Sequence, residues 1–137
     1  MDLELSHCFI TVRDLDESLV FYRDILGLEV RADAAIGPMR WVTVGSRSQP
    51  GVEISLETPE GRPGDVGALA KVVAAGSLTG AIFRTNDREE AFATLVEAGA
   101  PVVQEPKDQP YGVRDCAVRD PSGNMLRFAQ PLTGRPA

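Results

Sequence analysis

This sequence predicts an α+β fold built from two tandem βαβββ units. Three observations point there. An alternating strand followed by a capped amphipathic helix occurs twice, in "HCFITVRDLDESLVFYRDILGLEV" and "GAIFRTNDREEAFATLVEAGAPVV". Each helix is followed by three strand-like runs. The offset between the copies is 72 or 73 residues, so that Gly27 answers to Gly99 and Pro59 to Pro131.

In the first copy, Cys8, Ile10 and Val12 alternate with His7, Phe9 and Thr11, the pattern of a half-buried strand over 7–12. Asp14 and Glu17 form a capping box whose side-chain oxygens take up free helix N–H groups. Leu19, Tyr22, Ile25 and Leu26 share one helical face, and Gly27 suits a left-handed C-cap. Strands follow over 28–34, 40–45 and 52–57. In the second copy, Ala81, Phe83 and Thr85 alternate with Gly80, Ile82 and Arg84, and Asn86 with Glu89 forms the next box. Phe92, Leu95 and Val96 supply the apolar helical face, Gly99 ends it, and strands follow over 101–105, 112–119 and 124–130. One domain over 1–137 is expected, from units 4–58 and 77–131 joined by the connector 59–76, which holds a short helix near 66–74.

Alternation also sorts the faces. Val42, Val44, Ile54, Leu56, Leu126 and Phe128 belong under the helices. The opposite face mixes His7, Phe9, Trp41, Glu53, Ser55, Ile82, Arg84, Met125 and Arg127, a composition suited to the wall of a cleft. The segment "DQPYGVRD" reads either as a mobile rim presenting Tyr111 or as a plain turn, and its parity leaves open whether Arg114 or Asp115 faces the cleft.

Composition bounds the function. A net charge of −6 repels phosphate backbones, so no nucleic-acid partner is expected. No apolar run is long enough to span a membrane, and "MDLELSHCF" lacks the basic and apolar regions of a secretory signal. Cys8 and Cys116 are too few for a disulfide framework and form no CxxC, which fits a reduced cytoplasmic setting. His7 and Cys8 are adjacent on a strand, point to opposite faces and make no catalytic dyad. Neither a G-x-S-x-G elbow nor a Gly-rich phosphate loop is present.

The two helix segments together with the ending "YGVRDCAVRDPSGNMLRFAQP" resemble the vicinal oxygen chelate superfamily, over residues 5–131. That superfamily contains glyoxalase I, the extradiol dioxygenases, methylmalonyl-CoA epimerase and the bleomycin-resistance proteins. The resemblance implies the glyoxalase/bleomycin resistance fold, with an eight-stranded mixed sheet curled into a cup, and a homodimer. It also implies that metal-dependent members draw ligands from positions that fall here on His7, Ser55, Gly80 and Arg127. Only His7 suits a divalent ion, and it is the sole histidine. Ser55 is a poor neutral ligand, Gly80 has no side chain, and Arg127 is permanently cationic.

The expectation is therefore a protein without metal or other cofactor, closest in character to the bleomycin-resistance branch. Its partner would be a small, largely apolar, aromatic molecule such as an antibiotic, held by His7, Phe9, Trp41, Ser55, Ile82, Tyr111, Met125 and Arg127. Several roles stay open at this level: His7 as ligand contact or structural histidine, Trp41 as stacking surface or interface, and Arg84 and Arg127 as ligand donors or plain ion pairs. Two other function classes also remain. One is a divergent glyoxalase-like lyase, isomerase or dioxygenase; the other is a subunit or regulatory module whose cleft serves a partner.

Overall fold

The computed structural model describes residues 1–61 and 64–132. Residues 62–63 of the connector and the tail 133–137 lie outside the described residues. The chain divides into two compact units, Met1–Ala75 and Gly76–Ala137. Each carries a four-stranded mixed sheet, eight strands in all, in the pattern of the glyoxalase/bleomycin resistance fold. No helix among the described residues is long and apolar enough to cross a membrane.

In the first unit, β1 (His7–Thr11) leads into α1 (Leu15–Leu19), followed by β2 (Glu29–Ile36), β3 (Met39–Gly45) and β4 (Glu53–Glu57). The sheet order is β1-β4-β3-β2, with β1 parallel to β4 and the other pairs antiparallel. A parallel pair needs a crossover, and α1 provides it. Asp14 starts the helix from an extended backbone and accepts a hydrogen bond from the Glu17 backbone N–H at 2.7 Å.

The helix then widens. Val20–Ile25 is π-helical, and the Leu26 N–H reaches back five residues to the Phe21 carbonyl at 2.9 Å. The extra residue rotates the face, so the neighbours Phe21 and Tyr22 are both buried and meet edge to face at 5.1 Å. Regular α-helical spacing placed Tyr22, Ile25 and Leu26 inward; the structure buries Phe21 in addition and leaves Ile25 and Leu26 only partly covered. Gly27 ends the segment at φ 77°, and Gly99 ends the equivalent helix at φ 83°, a region that L side chains avoid.

The core of this unit is Ile10, Val12, Leu19, Phe21, Tyr22, Val42, Val44, Ile54 and Leu56, all buried. Each such side chain removed from water contributes roughly 1.5–3 kcal/mol. Arg31 on β2 reaches the β3–β4 loop, donating to the carbonyls of Ser46 at 2.7 Å, Val52 at 3.0 Å and Pro50 at 3.1 Å. A second helix, α2 (Val66–Ala74), closes the unit where the connector was expected to hold one.

The second unit repeats the plan with β5 (Thr79–Arg84), α3 (Arg88–Glu97), β6 (Val102–Asp108), β7 (Val113–Arg119) and β8 (Met125–Pro131), in the order β5-β8-β7-β6. β5 is parallel to β8 and the remaining pairs are antiparallel. The helix cap is Asp87, which accepts from the Glu90 N–H at 3.0 Å, not Asn86 as the sequence suggests. The Asn86 carbonyl instead accepts from Gln130 Nε2 at 2.7 Å, and Gln130 Oε1 accepts from the Arg88 N–H at 3.1 Å. This side-chain bridge from β8 sets the start of the helix one residue later. Leu95 is buried, but Val96, expected on the same face, is exposed. Beneath the helix lie Cys116, Val118, Leu126 and Phe128, with the Phe83 and Phe128 rings stacked at 5.5 Å.

The turn 120–124 is held by one carboxylate. Asp120, almost fully buried, accepts from the backbone N–H groups of Ser122 at 2.9 Å and Asn124 at 2.8 Å. It also accepts from the Asn124 side-chain amide at 3.0 Å. Replacing Asp120 with alanine orphans these donors, and hydrogen bonds to a charged group are worth about 1.5–3 kcal/mol each. Asp120→Ala is expected to lower the urea-denaturation free energy by at least that much; a loss below about 0.5 kcal/mol contradicts this role for the turn.

Candidate functional site

A helix covers one face of each sheet, and the residues that alternation leaves on the other face are the candidate functional groups. In the first unit, the parallel register sets His7 beside Glu53, Phe9 beside Ser55 and Thr11 beside Glu57. The antiparallel neighbour sets Thr43 beside Ser55. His7 lies at the exposed end, with Nε2 3.6 Å from Glu53 Oε2, Nδ1 3.0 Å from Ser6 Oγ, and its ring 6.4 Å from that of Trp41. Glu53 also accepts from the buried Thr43 hydroxyl at 2.7 Å. Phe9 is half exposed and Trp41 partly buried, so this face offers an aromatic surface.

Ser55 differs from its expected role as an accessible polar group. By register it lies on this face, yet it is fully buried between Phe9 and Thr43, and its hydroxyl has no hydrogen-bond partner among the described residues. An orphaned buried hydroxyl costs about 1–3 kcal/mol, the kind of penalty that persists where a group serves something other than stability.

In the second unit, the register sets Ile82 beside Arg127, Ala117 on the far side of Arg127, and Ala129 beside Asp115. Asp115, not Arg114, therefore shares the open face with Arg127. Arg114 pairs with Asp108 at 3.0 Å and approaches Glu89 of α3 at 3.7 Å. Ile82 is strongly exposed, and Met125 sits partly buried two residues before Arg127.

Asp115 is the centre of this face. Its carboxylate is buried and accepts from Gln109 Nε2 at 2.8 Å, Gln104 Nε2 at 3.0 Å and the Tyr111 hydroxyl at 3.1 Å. Arg127 Nη1 lies 3.5 Å from its Oδ2 and donates to Gln104 Oε1 at 3.1 Å. Tyr111 is thus tethered to the sheet through its hydroxyl while its ring stays exposed. Gln104 and Gln109 were not among the residues the sequence singled out, and Asp115 was left open against Arg114. The only sequence signal for Asp115 was its place two residues before Ala117 and opposite Ala129, which counts once the turn length is known.

The charges respond to these partners. Burial by itself pushes the Asp115 carboxyl up, but the hydrogen bonds from Gln109, Gln104 and Tyr111 and the charge of Arg127 outweigh it and hold it below its ordinary value. Loss of water around the Tyr111 phenol, followed by the Asp115 carboxylate, raises the phenol above its ordinary value. Burial likewise raises the Cys116 thiol, which suits a packing residue and not a nucleophile.

The residues present do not fit a divalent ion. The four positions that the resemblance assigns to metal ligands are His7, Ser55, Gly80 and Arg127. Arg127 brings a cation already bonded to Gln104 and Asp115, and no group of three or more His, Cys, Asp or Glu among the described residues is placed to hold a metal.

A protein-family model described as the Glyoxalase/Bleomycin resistance protein/Dioxygenase superfamily matches residues 4–128. YurT of Bacillus subtilis (strain 168) is 32% identical over 123 residues, spanning 88% of this chain and 94% of its own. The crystal structure of UcmS2 matches with a TM-score of 0.85 at 33% identity, covering 94% of this chain and 98% of its own. That of TnmS3, described as an antibiotic binding protein from Streptomyces sp. CB03234, matches with a TM-score of 0.75 at 27% identity, covering 95% and 97%.

The Asp115 network carries a pH dependence whose sign is set. A carboxyl held below its ordinary value in the folded chain contributes stability that is present above its unfolded value, about 3.9, and is lost as pH falls through the folded value. Wild-type protein is therefore expected to lose stability below about pH 4 more steeply than Asp115→Asn, which lacks the titrating group. Parallel slopes in urea denaturation from neutral to acid pH would show that Asp115 is not held in this way.

Proposed function

The chain belongs to the Glyoxalase/Bleomycin resistance protein/Dioxygenase superfamily, and from that premise we propose that it is a metal-free small-molecule-binding protein. It sequesters a largely apolar, aromatic ligand such as an antibiotic, and confers resistance by holding it. The observation that carries this reading is Arg127. At a position where metal-dependent members place a ligand, its guanidinium is hydrogen-bonded to Gln104 beside the Asp115 carboxylate. A donor so placed serves a ligand oxygen and not a dication. The likeness to TnmS3, an antibiotic binding protein, supports the same reading.

Each open face is a candidate surface by itself. Trp41 and Phe9 offer stacking surface, and aromatic pairing adds about 0.5–1.5 kcal/mol beyond area burial. Arg127, flanked by Ile82 and Met125, offers a charged donor worth about 1.5–3 kcal/mol to a ligand oxygen away from water.

One observation favours a second reading. His7 and Glu53 lie 3.6 Å apart, beyond a direct hydrogen bond but close enough for both to meet one substrate as acid and base in a divergent glyoxalase-like lyase or isomerase. Recovery of the ligand chemically unchanged supports binding; conversion that disappears in His7→Gln supports the enzyme.

Trp41 is the only tryptophan, so its emission reports on the first unit's open face. A planar aromatic compound bearing carbonyl or phenolic oxygens is expected to quench it to saturation. By calorimetry, Trp41→Ala is expected to weaken binding at the first unit's face, and Arg127→Gln binding at the second unit's face, by about fivefold or more, with far-UV dichroism unchanged. Unchanged affinity in both variants would contradict the assignment of these faces to ligand.

A further inference from the structure

The second unit's open face places one cation and one buried anion almost in contact, and this has a consequence for the charge of whatever binds there. We propose that the Arg127–Asp115 pair is a charge-neutral donor site for an uncharged carbonyl or hydroxyl oxygen, and that Asp115 bars anionic ligands from it. The proposal deepens the ligand-binding reading and rests on it.

The geometry divides the two roles. The Asp115 side chain is 2% exposed and that of Arg127 is 26% exposed, so the anion lies beneath and the cation reaches solvent. Every polar neighbour of Asp115 named above donates to it: Gln104 and Gln109 to Oδ1, Tyr111 to Oδ2. The two amides also bond each other, Gln109 Nε2 to Gln104 Oε1 at 3.3 Å, which fixes the orientation of the acceptor that Arg127 Nη1 meets. Arg127 uses only Nη1 in this network; its Nε and Nη2 make no hydrogen bond among the described residues. Those N–H groups remain for a ligand.

The surroundings select the ligand's charge. An oxygen bound to the free edge of Arg127 lies well inside the ~8 Å screening length from Asp115, so the two charges largely cancel at the ligand. The flanking side chains at the same register are Ile82 and Ala117, which supply no donor to replace the water an anion would shed; the next cation on this face, Arg84, lies one pair further along, beside Ala129. A neutral carbonyl sheds far less water and still accepts from the guanidinium. The repeat supports this division, since the places of Asp115 and Arg127 are taken in the first unit by Thr43 and Ser55, both uncharged.

The test uses two near-isosteric probes, 2-acetonaphthone and 2-naphthoate, titrated calorimetrically into the full chain at neutral pH. Wild-type protein is expected to bind the ketone about tenfold or more tightly than the carboxylate. In Asp115→Asn the guanidinium loses its counter-charge, so the carboxylate-to-ketone affinity ratio is expected to rise about fivefold or more. A wild-type preference for the carboxylate, or an unchanged ratio in Asp115→Asn, overturns the proposal and leaves the binding reading intact. Failure of both probes to bind contradicts the aromatic-ligand reading and this proposal together. Should Asp115→Asn not fold, wild-type protein still decides. Carboxylate affinity insensitive to added salt supports a neutral site, and affinity that falls steeply with salt overturns it.

Discussion

The open faces depend on one pairing. In each unit the first strand lies parallel to the last, β1 to β4 and β5 to β8, and the ladder continues beyond both strands in the bonds from Val12 N–H to the Glu57 carbonyl and Thr85 N–H to the Ala129 carbonyl. A parallel pair cannot be closed by a hairpin, so the chain must cross over the sheet before returning. The crossing helix buries one face of the sheet, and on the opposite face side chains distant in sequence meet within reach of solvent. His7 is thereby set beside Glu53, and Ile82 beside Arg127.

The same plan carries two different surfaces. In the first unit the inner positions are Thr43 and Ser55, small and fully buried, with the acid–base groups pushed outward to His7 and Glu53. In the second unit the equivalent positions hold Asp115 and Arg127. A buried carboxylate is tolerated only when its lone pairs are satisfied, and here two glutamines and a tyrosine supply the hydrogen bonds while Arg127 supplies the counter-charge. The cost of burying that anion is offset by a cation held in a defined place, and the tether on Tyr111 follows from the same carboxylate.

Much of the fold was legible in the sequence because its signals are local. Alternation marked the strands to within about two residues except β6, expected over 101–105 and running to Asp108, and Gly27 and Gly99 marked helix ends that the structure confirms with positive φ. The exceptions arise from interactions that act across the chain. The π-helical widening that buries Phe21 has no sequence period of its own, and the shift of the cap from Asn86 to Asp87 comes from Gln130, more than 40 residues later. Arg31 lies within the expected strand 28–34, a pattern that does not indicate its partners, which are backbone carbonyls of a distant loop. On the open faces, parity placed Phe9, Trp41, Ile82 and Arg127. It left Asp115 unassigned because the turn around Tyr111 and Gly112 hid the strand's starting register. It could not foresee that Ser55 would be buried with no partner for its hydroxyl among the described residues.

Metal binding tests most directly whether Arg127 and its Asp115 partner have replaced a metal centre on this scaffold. The measurement is elemental analysis of protein dialysed against nickel, zinc, manganese or iron and then freed of unbound ion. A guanidinium at a position that the resemblance assigns to a ligand, and a lone histidine, predict well under one ion per chain for each metal. One tightly held ion per chain, lost on substitution of His7, would contradict it.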